Sequence, residues 1–139
     1  MLFKDEFSFL SNFSPAEVIL DGKKYPTVEH AFQAAKTLDL KDRKVIQTAR
    51  TAADAKRIGR TVNLRKDWES SKLTTMTLLL IQKFYRGENK ELLKETGTQM
   101  LVEHNYWHDN YWGSCTCPKC RDHGTNMLGK LLMTIRDVL

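Results

Sequence analysis

The sequence predicts a helix-rich α+β fold for a single domain spanning residues 1–139. Two patterns support this class. Apolar residues recur at helical spacing in several segments, and one short stretch flanks a turn in the manner of a β-hairpin. A chain of 139 residues with 41% hydrophobic residues is also large enough to bury one core. We therefore expect a compact domain of helices with one short hairpin and few small strands.

The N-terminal half begins with aromatic residues among Ser and Asn over residues 5–16, which predicts an ordered aromatic loop. Val18-Ile-Leu20 and Lys23-Lys-Tyr25 flank the turn Asp21-Gly22 and predict the hairpin. The helices predicted next cover residues 27–38, residues 41–49, and a short segment that begins behind a capping Thr51 and ends near Gly59.

The C-terminal half contains the longest helical pattern, over residues 67–86. Its apolar residues recur at helical spacing and are predicted to face the core. These core residues are Leu73, Met76, Leu80 and Phe84. The other predicted elements are a helix over residues 89–96, a strand at 100–102, a polar aromatic loop over 104–124 and an amphipathic helix over 125–138.

The segment Tyr25–Lys36 is the most informative for function. Pro26 and Thr27 mark a helix start, and Glu29, Gln33 and Lys36 then fall on one helix face. A carboxylate, an amide and an ammonium on one face can form a binding or catalytic site. The same pattern is also typical of a solvated helix surface, because the helix dipole favours Glu in the first turn.

The charge is mildly basic, with a formal net charge of +5 and a pI of about 9.2. The Lys and Arg residues are spread along the chain, which favours a phosphorylated small ligand or a brief encounter with nucleic acid over a dedicated duplex-binding surface. No apolar run approaches a membrane span, and the N-terminus does not resemble a signal peptide. We expect a cytoplasmic protein that has no membrane partner.

Two further motifs combine polar and glycine residues. Asp109-Asn-Tyr-Trp-Gly113 places an acid beside two aromatic rings, which could bind a sugar and stack on a base, or could simply form a turn that fills the core. In Gly124-Thr-Asn-Met-Leu-Gly129, Thr125 or Asn126 is predicted to cap the last helix, whose free N–H groups could bind phosphate.

All three cysteines lie within residues 115–120, and this odd, clustered set is not a disulfide framework. The candidate zinc ligands are Cys115, Cys117, Cys120 and His123. Four ligands within nine positions are crowded and lack paired knuckles, so a loop with free thiols is the alternative. His104 and His108 are expected to be ordinary loop histidines.

Together these residues resemble the NADAR (YbiA-like) family over nearly the whole chain. The resemblance rests on short stretches in a characteristic order and spacing. The matching stretches are Phe9–Pro15, Leu20–Gly22, Tyr25–His30, Phe32–Ala34, Ile58–Arg60, Arg65–Trp68, Lys83–Phe84, Leu101–Glu103, Asp109–Gly113, Gly124–Met133 and Ile135–Arg136. The cysteine insert departs from the pattern, because many relatives carry a glycine-rich stretch at that place.

The resemblance implies N-glycosidase activity, in which the bond between ribose C1 and nitrogen is cut and positive charge develops on the sugar. It implies that Glu29 is the catalytic carboxylate and that Asp109 is a second acid that orients ribose or water. Trp68 and Trp112 would form aromatic walls. The other expected ligand contacts are Asn12, Phe13, Lys36, Arg60, Lys72, Lys83, Gly113 and Asn126. No cofactor is required for this reaction, and any zinc at the cysteine insert would be structural.

The resemblance leaves the substrate open. The leading expectation is removal of ADP-ribose from guanine bases of nucleic acid, which would reverse the modification made by a cognate ADP-ribosyltransferase toxin. A second expectation is hydrolysis of a phosphoribosylamino-pyrimidine intermediate of riboflavin synthesis. The non-enzymatic alternatives are a reader that binds ADP-ribose without cutting it and a zinc-stapled nucleic-acid-binding module.

Overall fold

The computed structural model describes residues 2–139 and confirms the helix-rich α+β class. Its elements in chain order are a 3-10 helix (Asp5–Leu10), strands β1 (Val18–Leu20) and β2 (Lys23–Tyr25), helices α1 (Val28–Ala35), α2 (Leu40–Gln47), α3 (Ala52–Gly59), α4 (Trp68–Phe84) and α5 (Gly87–Glu95), strands β3 (His104–Asn105) and β4 (Ser114–Cys115), and helix α6 (Met127–Asp137). Backbone contacts divide the chain into one unit formed by Asn12–Tyr85 and another formed by the residues before Asn12 with Arg86–Leu139. That residues 1–139 act as one domain stays a prediction.

In the unit Asn12–Tyr85, helix α1 is central and contacts α2, α3, α4 and β1. Thr27 caps it as predicted, because the Thr27 Oγ1 accepts a hydrogen bond from the His30 N–H at 3.0 Å. The buried His30 ring then joins Thr27 Oγ1 (2.7 Å) to the carbonyl of Ala49 (3.0 Å), which lies between α2 and α3. These contacts fix α1 at its N-terminal end, where Glu29 lies.

The predicted hairpin is confirmed. Strands β1 and β2 pair antiparallel, with Val18 opposite Tyr25. Asp21 and Gly22 both adopt left-handed backbone conformations, with φ of 48° and 78°. Such conformations match the twist of the flanking strands, and Asp-Gly is a favoured pair for this turn.

Helix α4 buries Met76, Leu80 and Phe84 as predicted, but the prediction for Leu73 is wrong because its side chain is 39% exposed. The buried face of α4 also includes Leu79, which is 1% exposed. One residue step turns a helix by about 100°, so Leu73 lies on the same side of α4 as the buried Leu80, about two turns nearer the start of the helix. Its exposure therefore comes from its place along the helix and not from the side that it faces.

The second unit departs from two predictions. The N-terminal aromatic segment contains a 3-10 helix that contacts α5, where a loop was expected. The strand expected at 100–102 is absent from the described residues, because the carbonyl of the buried Leu101 accepts a hydrogen bond from the Asn126 side chain at 2.9 Å. The strand pairing occurs instead between β3 and β4, which run parallel with His104 opposite Ser114.

Helix α6 begins against the loop that precedes it in the same unit. The carbonyls of residues 110–113 accept hydrogen bonds of 2.8–3.0 Å from the backbone N–H groups of residues 125–128. The expectation of free N–H groups at this helix start is therefore wrong. Within residues 2–139, no helix is both long and apolar enough to cross a membrane.

Candidate active site and cysteine cluster

Glu29 is a buried carboxylate, with its side chain held by the next turn of α1. Glu29 is 7% exposed and Gln33 is 4% exposed, so this helix face is not a solvated surface. The Gln33 Nε2 donates a hydrogen bond to the Glu29 Oε1 at 2.8 Å, and the Glu29 backbone N–H donates to the carbonyl of Asn12 at 3.1 Å. The carboxylate is thus fixed both through its side chain and through its backbone.

The electrostatics of Glu29 combine burial with nearby positive charge. Burial raises the pKa of Glu29, while the Gln33 hydrogen bond and the charges of Lys56 and Lys36 lower it in part. Burial also lowers the pKa of Lys36; the attraction of Glu29 opposes this, and repulsion by Lys56 and Arg60 adds to it. One buried carboxylate therefore shares its surroundings with a cationic group formed by Lys36, Lys56 and Arg60.

Lys56 is the member of this cationic group that the sequence analysis missed. It precedes Arg60 by four residues, so the two positions share a face where α3 ends, and that spacing was the available signal. The Lys56 Nζ lies 5.9 Å from the centroid of the Phe13 ring, within the range of a cation–π contact. The structure thus brings Phe13, a predicted ligand contact, to the same cationic group.

Two buried amide oxygens in this unit have no hydrogen-bond partner among residues 2–139, namely Gln33 Oε1 and Asn12 Oδ1. Gln33 Oε1 points at Gly59, where an added Cβ would lie only 2.0 Å from it. The Asn12 Nδ2 approaches the Met76 sulfur at 3.6 Å. Buried polar atoms are nearly always paired, so these two acceptors are suited to donors supplied by a ligand or by water.

Trp68, a predicted aromatic wall, is buried at the start of α4. Its ring packs on Phe32 of α1, with centroids 5.1 Å apart and planes tilted by 55°. Lys72, one turn later, forms an ion pair of 2.6 Å with Glu69. The ligand-binding roles of Trp68 and Lys72 stay predictions.

Lys83 is buried near the end of α4. Its Nζ donates a hydrogen bond to the Ser14 Oγ at 2.7 Å and lies 5.1 Å from the Phe84 ring centroid. Burial lowers the pKa of Lys83 to about 7. Near neutral pH this side chain is therefore divided between ammonium and neutral amine, and its predicted phosphate contact stays untested.

Asp109 lies in the other unit and organises a turn. Its Oδ1 accepts hydrogen bonds from the backbone N–H groups of Tyr111 (3.1 Å) and Trp112 (3.0 Å). The Asn105 side chain pairs with the Asp109 backbone on both sides, at 2.8 and 3.1 Å. These contacts support the turn interpretation of the Asp109 Oδ1, while the catalytic role of Asp109 stays a prediction.

The remaining predicted contacts in this unit are also held by packing and hydrogen bonds. Trp112 meets Tyr111 edge-on at 4.7 Å, and a Cβ added to Gly113 would lie 2.2 Å from the Glu103 carbonyl oxygen. Asn126 is the N-cap residue of α6, but its side chain does not cap the helix. Its Oδ1 instead accepts the Glu103 N–H at 3.0 Å, while its Nδ2 holds the Leu101 carbonyl.

The cysteine cluster includes a histidine other than the one predicted. The His108 Nδ1 lies 3.3 Å from the Cys120 sulfur, 3.5 Å from the Cys117 sulfur and 3.7 Å from the Cys115 sulfur. The four ligand atoms all lie within 4.8 Å of one another and could hold a metal ion. His108 is therefore not an ordinary loop histidine, and it takes the place expected for His123, because the loop folds back with a left-handed residue at His108 (φ 68°).

The thiols of this cluster differ in acidity. The Cys120 backbone N–H approaches the Cys117 sulfur at 3.4 Å, and this contact lowers the pKa of Cys117 to about 6. For Cys120, an Asn110 hydrogen bond acts to lower the pKa, but burial and the interactions with the other two thiols together outweigh it and raise the pKa. Cys117 thus favours the thiolate form, which is the form that binds metals.

The family model described as NADAR domain matches residues 2–139. The chain belongs to the NADAR family. This NADAR chain is 41% identical over 138 residues to N-glycosidase YbiA of Escherichia coli (strain K12), covering 97% of the chain and 83% of that relative. The NMR structure of the E. coli protein YbiA matches with a TM-score of 0.83 and 39% identity, covering 99% of the chain and 81% of that structure.

A more distant relative carries a different name. A riboflavin biosynthesis protein of Vibrio vulnificus (strain YJ016) is 32% identical over 138 residues, which are 97% of the NADAR chain but 36% of that protein. The closer relationship to a protein named N-glycosidase decides the reaction class. This NADAR protein is an N-glycosidase, a hydrolase that acts on N-glycosyl bonds.

Proposed function

We propose that Glu29 is the catalytic carboxylate of this N-glycosidase and that the substrate is ADP-ribosylated guanine in nucleic acid. The observation that carries the proposal is the buried Glu29 carboxylate, which is held by Gln33 and lies within the electrostatic influence of Lys36 and Lys56, with Arg60 acting in turn on Lys36. A carboxylate and a cationic group in one place match a substrate that joins a ribose to phosphate. A cognate ADP-ribosyltransferase toxin would supply this substrate.

The proposed reaction is hydrolysis at ribose C1. The bond between C1 and the base nitrogen breaks, the oxygen of a water molecule bonds to C1, and a water proton goes to the departing base. Positive charge develops on the ribose in the transition state, and a negative Glu29 in a buried, low-dielectric position stabilises it. The raised pKa of Glu29 also brings its basicity closer to neutral pH, which suits a general base for the water.

The polar groups around Glu29 suit the rest of such a substrate. The orphaned oxygens of Gln33 and Asn12 are acceptors, and ribose hydroxyls are donors. A diphosphate spreads its negative charge over two linked phosphate groups, so it can contact more of the three cations Lys36, Lys56 and Arg60 than a single phosphate group can. This match favours an ADP-ribosyl group as the substrate.

The second candidate substrate is a phosphoribosylamino-pyrimidine intermediate of riboflavin synthesis. It is favoured by the relative named for riboflavin biosynthesis, which is similar over 97% of the chain. The same carboxylate would serve, because this intermediate also carries nitrogen on ribose C1. Its negative charge would lie on one phosphate group rather than two, so it would contact the cationic group at one place.

The test compares both substrates with the wild-type chain and with Glu29→Gln. Released base is measured by chromatography and mass spectrometry after incubation with ADP-ribosylated guanine DNA or, separately, with the pyrimidine intermediate. We expect release from the DNA, unchanged binding by Glu29→Gln, and a fall in its turnover of about 10²–10⁴-fold. Glu17→Gln is the matched control, because Glu17 is an exposed carboxylate on the same unit.

The outcomes separate the alternatives. Full turnover by Glu29→Gln would remove Glu29 from the catalytic role. Release from the pyrimidine intermediate alone would replace the first substrate by the second. Tight binding of ADP-ribosylated DNA without any release would overturn hydrolysis of this substrate and leave a reader of the modification.

A further inference from the structure

The cluster formed by His108, Cys115, Cys117 and Cys120 has the dimensions of a tetrahedral metal site. With zinc–sulfur bonds of about 2.3 Å and a zinc–nitrogen bond of about 2.0–2.1 Å, tetrahedral geometry places nitrogen and sulfur about 3.5 Å apart. The His108 Nδ1 lies at 3.3, 3.5 and 3.7 Å from the three sulfurs. The three nitrogen–sulfur separations are thus those that a zinc ion requires, and all four donor atoms lie within 4.8 Å of one another.

We propose that these four side chains bind a structural zinc ion. Three thiolates and one imidazole form a donor set that zinc accepts, and four protein ligands leave no open position for substrate or water. Binding replaces the thiol protons by the metal, so each cysteine that arrives as a thiol releases one proton. The site takes no part in the hydrolysis proposed above, and the proposal stands independently of that function.

Asn110 supports the cluster from outside the ligand set. Its Oδ1 accepts the Cys115 N–H at 2.9 Å. This amide therefore holds the backbone of one of the proposed ligands in place. Such supporting hydrogen bonds are characteristic of metal sites, where their loss typically weakens metal binding by about 10–100-fold.

The backbone around the cluster is held in conformations that favour glycine. His108, Arg121 and Asp122 have φ values of 68°, 55° and 60°. A backbone hydrogen bond also closes the cysteine loop, because the Arg121 N–H donates to the Cys117 carbonyl at 2.9 Å. A metal that joins His108 to the cysteines would offset the conformational cost of these residues.

The zinc would fix the part of this unit that carries Asp109 and Trp112. Asp109 directly follows the ligand His108, and Trp112 lies between two sets of hydrogen bonds, one to Asp109 and one to the start of α6. Cys115 lies on β4 and closes the same loop. The metal would thus cross-link a loop that carries predicted site residues.

The experiment uses the full chain with Zn²⁺ and Co²⁺ as probes. Elemental analysis of the purified protein is expected to give about one zinc per chain, and Co²⁺ exchange is expected to give thiolate charge-transfer and tetrahedral d–d absorption bands. His108→Ala is expected to weaken zinc binding, measured by chelator competition, at least about 10-fold. His123→Ala is the matched control and is expected to keep wild-type affinity.

A second measurement covers the case in which a ligand variant fails to fold. In the wild-type protein, the partly exposed thiols of Cys117 and Cys120 are expected to react slowly with a thiol reagent while zinc is bound, and at least about 10-fold faster after chelation. The proposal would be overturned if the protein neither contains nor takes up zinc. A disulfide between two of the cysteines in the purified protein, or metal loss in His123→Ala but not in His108→Ala, would equally overturn it.

Discussion

The contact between Gly59 and Gln33 makes Gly59→Ala a sharp test of how Glu29 is held. An added Cβ would lie 2.0 Å from the Gln33 Oε1 and 2.8 Å from its Cδ, where real Cβ atoms are not found. Gln33 is 4% exposed, so its amide has no open solvent to enter. The amide must therefore turn, and its 2.8 Å hydrogen bond to the Glu29 Oε1 is lost.

Two opposing effects determine how much Gly59→Ala changes the free energy of unfolding. A hydrogen bond to a charged group contributes about 1.5–3 kcal/mol, while Ala stabilises a helix over Gly by up to about 1 kcal/mol. The net expected loss is about 0.5–2 kcal/mol in the free energy of unfolding, measured by urea denaturation. A displaced Glu29 should also lower kcat about 10–100-fold, as a misplaced catalytic group does.

The pH profile separates positioning of Glu29 from a loss of stability alone. The Gln33 hydrogen bond lowers the pKa of Glu29, so its loss in Gly59→Ala should move the acidic limb of the kcat/KM profile to higher pH. In a Gln33→Ala background, Gly59→Ala should cost at least about 1 kcal/mol less, because the clashing amide is gone. An unmoved acidic limb together with a stability change below about 0.5 kcal/mol would refute this account of Gln33.

For three other substitutions, the structure determines whether the free energy of unfolding rises or falls. Burial raises the pKa of Glu29, so keeping its ionised carboxylate buried destabilises the folded state above the folded pKa, and this cost is lost below the unfolded value of 4.5. Urea denaturation of Glu29→Gln should therefore show a larger stabilisation at pH 7.5 than at pH 4.5. For Lys83, the fall in pKa from 10.5 to about 7 means that the buried ammonium destabilises the folded state by at most about 5 kcal/mol. This destabilisation is complete below pH 7 and disappears as the pH approaches 10.5. Lys83→Met should thus stabilise more at pH 6 than at pH 9, and a pH-independent difference would contradict the cause given for the lowered pKa. Asn126→Ala should lower the free energy of unfolding by about 2–4 kcal/mol, because it removes the two hydrogen bonds that the Asn126 side chain makes to the Leu101 carbonyl and the Glu103 N–H; a loss under about 0.5 kcal/mol would exclude that role.

The elements that the sequence predicted best depend on signals within a few residues. Thr27, Asp39 and Thr51 each cap the helix that follows them through a side-chain oxygen. The Asp21-Gly22 turn likewise sets the register of β1 and β2 without help from the rest of the chain. Hydrogen bonds of this kind depend only on neighbouring residues. The predicted boundaries of these helices and strands therefore lie within two to three residues of the observed ones.

The predictions that were wrong depend on partners remote in sequence. Residues 100–102 have the composition of a strand, but the Asn126 side chain, 25 positions away from Leu101, takes the carbonyl that a strand would use. His123 is close to the cysteines in sequence, yet His108 reaches their sulfurs because the loop reverses. Spacing along the chain identifies such ligands only where a regular element carries them.

Burial is what separates the two interpretations of the Glu29 face. A helix surface in water tolerates Glu and Gln at little cost, and the sequence pattern is the same for a surface and for a site. Helix α1 is buried along its whole length, so its polar groups cost free energy unless they are paired. Gln33 pairs one end of its amide with Glu29, while its Oε1 faces Gly59 and has no hydrogen-bond partner in the part of the chain that the structure describes. A core selected only for stability would place apolar side chains at both positions, so this half-satisfied pair beside Lys36 and Lys56 supports the proposal that a ligand completes it.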